Sequence, residues 1–156
     1  MTKGRTIFLL PCLLLIPTLA SGVASSVRQS GPAAASRSVW DGVYTLGQAK
    51  RGESVYETLC SSCHGSDLQG DGADAAPLAG TRFMRKWNGR PLKVLFTVAK
   101  ETMPQDAPGT LSKEACADLL AYILRANGFP DGTMQLGSDQ EELGRIVLDE
   151  SVPSQH

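Results

Sequence analysis

The feature that most constrains this chain is five residues long. Cys60-Ser61-Ser62-Cys63-His64 sets two thiols three positions apart and an imidazole directly after the second. This is the attachment pattern of haem c. Thiols so spaced at a helical turn can each add to one vinyl group of a porphyrin. The following residue is then held beneath the iron, where a ring nitrogen serves as proximal ligand. Other readings of the motif need partners that the sequence does not supply. A thioredoxin-like dithiol requires a βαβ context. A zinc site requires a second ligand pair, and downstream only Cys116 and His156 remain, neither beside another candidate.

The N-terminus is of a different kind. Lys3 and Arg5 precede an apolar run, Ile7 to Ala20, and small residues follow. That order predicts a signal peptide over 1–24, cleaved after Ala24, and hence a periplasmic protein. If uncleaved, the segment would act as an anchor, although Pro11 and Pro17 make it a poor bilayer span. Cleavage removes Cys12 and leaves three cysteines. An odd count in an exported chain argues against a disulfide framework, and only Cys116 lacks an assignment. With 42% hydrophobic and 20% charged residues, the chain as a whole has the composition of an ordinary globular protein.

The rest of the chain reads as mostly helical. Residues 25–44 are Ser-, Ala-, Gly- and Pro-rich at first and predict a flexible leader. Thr45-x-x-Gln48 has the form of a capping box, so a helix starts near residue 46. Ala49, Gly52, Val55, Tyr56 and Leu59 form its apolar face and lead straight into Cys60. Glycines dominate Gly65 to Gly80, which predicts an irregular loop. Pro91 suits the first position of a helix over Leu92–Lys100, and Ser112 caps another that closes at Asn127-Gly128. Ser138-x-x-Glu141 predicts a short helix in an acidic extension, 129–156. No segment reads as a convincing strand. No internal repeat appears, so a single haem unit is expected in an all-α fold.

A distal ligand must come from elsewhere. A methionine thioether is a soft donor that favours reduced iron. Met103 stands apart from Met84 and Met134 because it lies in a loop directly before Pro104, thirty-nine residues after His64. Arg82, Arg85, Lys86, Arg90 and Lys93 cluster with Phe83 and Trp87. They read either as a solvated face or as contacts to the haem propionates, with Trp87 packed on the haem or its rim.

Taken together, residues 45–128 resemble a class I cytochrome c, similar to the monohaem cytochromes linked to periplasmic quinoprotein dehydrogenases and respiratory oxidases. The resemblance implies the cytochrome c fold, with helices packed around one covalent haem c. It implies that the first and last helices cross at Gly52 and Tyr56 against Leu119 and Tyr122. It matches Pro77, in Ala76-Pro77-Leu78-Ala79-Gly80, to a proline whose carbonyl accepts the second ring N–H of His64. It matches Thr102-Met103-Pro104 to the distal ligand loop, which makes Met103 the sixth ligand. Cys116 departs from the family, where an aromatic is common, and reads as a small buried hydrophobe.

The function expected is electron transfer rather than catalysis. With His64 and Met103 on the iron, no position is open to substrate. Redox proteins would be the partners: a dehydrogenase or quinol-oxidising complex as donor, a terminal oxidase or reductase as acceptor. The same chemistry would serve a soluble shuttle or the haem subunit of a larger complex. Nucleic acid is an unsuitable partner for an exported chain with one short basic cluster. The contrasting reading is a five-coordinate haem protein, a peroxidase-like enzyme or gas sensor. It would normally want a distal acid–base group, and His156 is the only histidine besides His64.

Overall fold

Two helices that cross through a glycine organise the protein. In the computed structural model, which describes residues 36–72 and 75–151, α1 (Leu46–Leu59) packs along α5 (Lys113–Ala126). A Cβ on Gly52 would stand 1.9 Å from the Asp118 carbonyl oxygen, so only glycine lets the two backbones approach this closely. Beside the crossing, the Tyr56 and Tyr122 rings meet at a 45° tilt with centroids 5.3 Å apart. Arg51 grips Asp118 through two 2.8 Å hydrogen bonds on the solvent side.

Both α1 and α5 begin where a side chain supplies a cap. The Thr45 hydroxyl accepts from Gln48 N–H, and that of Ser112 accepts from Ala115 N–H. Between them lie α2 (Ser61–His64), α3 (Gly80–Trp87) and α4 (Leu92–Thr102). Pro91 stands one residue before α4 rather than within it. Helix α3 was not foreseen. Its pattern is clear in retrospect: Phe83, Met84 and Trp87 are buried while Arg82, Arg85 and Lys86 face water.

The chain's two ends differ most from expectation. The leader and the signal peptide lie largely outside the described residues, but 36–44 pack into the body. Val39, Val43 and Tyr44 are at most 2% exposed. The extension from 129 is likewise part of the core, contributing buried Phe129, Leu136, Leu143, Ile146 and Leu148. Its helix α6 (Gln140–Arg145) is capped by Asp139, whose Oδ1 accepts from Glu141 and Glu142 N–H, rather than by Ser138. Directly after it, β2 (Ile146–Val147) pairs in parallel with β1 (Arg37–Ser38), Arg37 opposite Ile146. The reason is composition by position. The acidic residues of this extension are interspersed with large apolar ones, and each buried Leu or Ile contributes up to about 1.5–3 kcal/mol.

Specific polar bonds fix the path of the tail. The Tyr44 hydroxyl donates to the Phe129 carbonyl at 2.6 Å. Gln48, 2% exposed, donates to Leu136 O at 2.9 Å and accepts from Leu136 N–H at 2.8 Å. A buried amide so paired carries no desolvation debt. The Trp40 indole N–H donates to Asp149 O at 2.9 Å, and its ring meets Phe129 edge-on, centroids 5.0 Å apart.

Candidate functional site

The motif Cys60–His64 forms a tight helical turn on the end of α1. Cys60 N–H still donates to Tyr56 O (2.9 Å), while Cys63 and His64 N–H both return to Cys60 O (3.2 and 2.9 Å). The Tyr56 hydroxyl donates to Gly65 O at 2.5 Å and so ties the far end of the turn to the α1–α5 crossing. Burial pushes that phenol well above the usual tyrosine range, which keeps the donor protonated. Neither motif cysteine is in a disulfide. Cys60 is buried and Cys63 exposed, and burial pushes the Cys60 thiol up to about 11.

A cavity of about 590 Å³ opens beside this turn. Cys60, Cys63 and His64 line it, and so do Met103, Pro77 and Trp87. The structure therefore brings all six sequence-predicted residues to one cavity. Leu95, Ala99, Leu119 and Ile123 give it an apolar wall, drawn from α4 and α5. Leu59, expected on the buried face of α1, is 43% exposed and lines the cavity instead.

One sequence-based expectation is corrected. The carbonyl facing His64 belongs to Ala76, not to Pro77: Nδ1 of His64 lies 2.8 Å from Ala76 O. That oxygen belongs to the peptide bond preceding the proline. A residue before proline is restricted to extended backbone by the proline ring, so Pro77 helps aim the carbonyl from one position further on. Since a carbonyl only accepts, Nδ1 carries the ring proton, and Nε2 is left with the lone pair a metal would use.

The loop that carries Ala76 is held from two sides. Gly70, at φ +66°, donates to His64 O at 2.8 Å, and a Cβ there would stand 2.1 Å from Ala75 O. Asn127, which the sequence marks only as the close of α5, donates to Leu78 O (3.0 Å) and accepts from Gly80 N–H (3.0 Å). An Asn-Gly pair signals a helix end, and no local pattern reveals that its amide reaches a loop forty-seven residues away in sequence.

Met103 ends α4 and is half-buried. Its loop is closed by Lys100, whose ammonium donates to Gly109 O at 2.7 Å, and by Ala107 N–H to Pro104 O at 3.0 Å. The other methionines stand elsewhere. Met84 belongs to the buried face of α3 without lining the cavity, and Met134 is 67% exposed. Trp87 is 5% exposed, with the Lys86 ammonium 5.4 Å and the Arg90 guanidinium 5.8 Å from its ring centre. Lys86 also lines the cavity, whereas Arg82, Arg85 and Arg90 do not.

These residues fit a haem c. The cavity lies within the roughly 300–1,000 Å³ range of cofactor sites and is mostly apolar. Its donors are two unpaired thiols, an imidazole of fixed tautomer and a thioether, the set that thioether attachment and axial ligation require. Cys116 is fully buried on α5 and lies outside the cavity lining.

The sequence model of the family described as cytochrome c oxidase, cbb3-type, subunit III matches residues 47–123. That span begins in α1 and ends in α5, so it contains every lining residue named above. No curated protein matches the chain significantly.

Proposed function

Because the chain belongs to the c-type cytochrome family, we propose that it carries one haem c, bound through Cys60 and Cys63 with His64 and Met103 as axial ligands, and shuttles single electrons. Haem and electron transfer come with the family; the count, the ligands and the working role are our reading. The observation that carries it is the convergence of both thiols, the imidazole and one methionine of three downstream on a single apolar cavity.

Each residue then has a defined task. Cys60 and Cys63 would hold the haem through two thioether bonds. In the folded chain burial pushes the Cys60 thiol up to about 11, which makes it a poor nucleophile. His64 presents Nε2 while Ala76 O holds Nδ1–H, fixing the ring's orientation and raising its basicity. Met103 would supply a second, thioether ligand, and with both ligands in place the chain would act as a carrier. Leu95, Leu119 and Trp87 exclude water, which disfavours the extra charge of the oxidised form and raises the potential. The bound haem supplies a one-electron ferric–ferrous couple, and the protein supplies its setting.

Partners are other redox proteins meeting the cavity mouth in small transient contacts: a dehydrogenase or quinol-oxidising complex as donor, a terminal oxidase or reductase as acceptor. The matching family is described as an oxidase subunit, which supports a respiratory complex as partner or as permanent host. Among the described residues no helix is long and apolar enough to cross a membrane. The N-terminal export pattern, Lys3 and Arg5 before the apolar run to Ala20, supports a periplasmic carrier.

The test is the visible spectrum of protein exported alongside haem-maturation factors, oxidised and reduced, with carbon monoxide then added. A low-spin spectrum indifferent to carbon monoxide is expected. A shift would mean an open iron, and the ligand-binding reading would replace this one.

A further inference from the structure

The stretch between α3 and α4 is unusually well held for a loop. Trp87, the last residue of α3, belongs to the cavity wall, and the three residues after it are bonded to the C-terminal segment. Asn88 Oδ1 accepts from Glu150 N–H at 2.8 Å. Gly89 N–H donates to Leu148 O at 2.6 Å, and Leu148 N–H donates to Arg90 O at 2.9 Å. Pro91 and Val147 form an antiparallel bridge. Leu148 and Ile146 are buried, and β1 and Trp40 secure the other side of the same segment.

Helix α3 needs such a support. It spans 8 residues, too short for a helix to persist without tertiary contacts, and Ala79 gives it no side-chain cap at its start. Its far end is fixed through Asn88, which is both its C-cap and the anchor of Glu150.

We propose that segment 146–150 is a positioning strap for Trp87, acting through Asn88, and that it thereby sets how dry the adjacent cavity wall is. The proposal rests on the haem reading above for its effect on potential, and on contacts in the chain alone for its effect on Trp87. Asn88 is a positioning residue: its side chain touches the strap and not the cavity. Removing its acceptor frees Glu150 N–H, loosens the loop and lets the indole move. Water reaching that wall favours the oxidised charge and lowers the potential.

The experiment compares the haem-loaded wild type with Asn88→Ala and Asn88→Asp, at a salt concentration that screens the added carboxylate. Three properties are measured: the indole ¹H–¹⁵N resonance of Trp87 in the reduced protein, the reduction potential, and the melting temperature. In Asn88→Ala the Trp87 resonance should shift or broaden and the potential should fall. Asn88→Asp keeps an acceptor oxygen and should restore both. A lower melting temperature with the Trp87 resonance and the potential unchanged would overturn the proposal, leaving Asn88 as a purely structural contact. Should the wild type take up no haem, the function proposed above fails. The Trp87 resonance then decides the strap's role by itself, and an unchanged resonance in Asn88→Ala overturns it.

Discussion

Ala76 and His64 are joined by a 2.8 Å contact from a backbone carbonyl to Nδ1. The acceptor belongs to the backbone, so no side-chain deletion at 76 removes it. What can be altered is the restraint that aims it.

Pro77→Ala should relax that restraint. The loss of a proline at a compatible position costs about 0.4–1 kcal/mol of stability through the freer unfolded chain. A less firmly held Nδ1–H makes the imidazole a weaker donor to iron, so the potential should rise. Redox titration checks this, and a fall in potential would contradict the assigned role of the carbonyl.

Met103→Ala should leave haem covalently attached, since the thioether positions are untouched. It should open the iron to carbon monoxide and lower the potential, because the thioether stabilises the reduced form. Spectra with and without carbon monoxide decide it. An unchanged response would pass the ligand role to another group.

Gly52→Ala tests the helix crossing. Its new methyl would overlap Asp118 O, a backbone atom that cannot swing away. The helices must separate, at about 1–3 kcal/mol or more by the cost of overpacking. Urea unfolding should show a lower midpoint with little change in slope.

Alkaline pH should weaken the fold through Tyr44. Burial, reinforced by the charge of Asp131, pushes its phenol up to about 12, against about 10 for a free tyrosine. Between those values the folded state keeps a proton that the unfolded state has lost. Stability is therefore fully present below about pH 10 and declines as the pH rises towards 12. Tyr44→Phe should flatten this decline in urea midpoints taken across that range. Tyr56 and Tyr122, also raised by burial, leave a residual slope.

How much of this was legible in sequence depended on how local the cause was. Thr45 and Ser112 cap the helices the sequence assigned to them, because a cap reaches three residues and leaves a fixed pattern. The convergence of Cys60, His64, Pro77, Trp87 and Met103 on one cavity followed a motif order. Asn127, Asn88 and Gln48 have distant partners that were not legible, for the opposite reason. Each is an ordinary polar residue whose partner lies between forty-seven and eighty-eight positions away. In the tail, net acidity outweighed the apolar side of the short helix, although Leu143, Ile146 and Leu148 carry the packing.

The pair of hydrogen bonds between Gln48 and Leu136 has a consequence for how this chain can change in length. One side chain acts there as a rung of sheet, and Leu148 is pinned again at loop 88–91. The stretch between them is a span hung from two fixed posts. A residue added or lost within it would turn Leu143 and Ile146 away from the core, so insertions belong elsewhere. The exposed turn at Thr133 and Met134, outside both posts, is where the chain has slack.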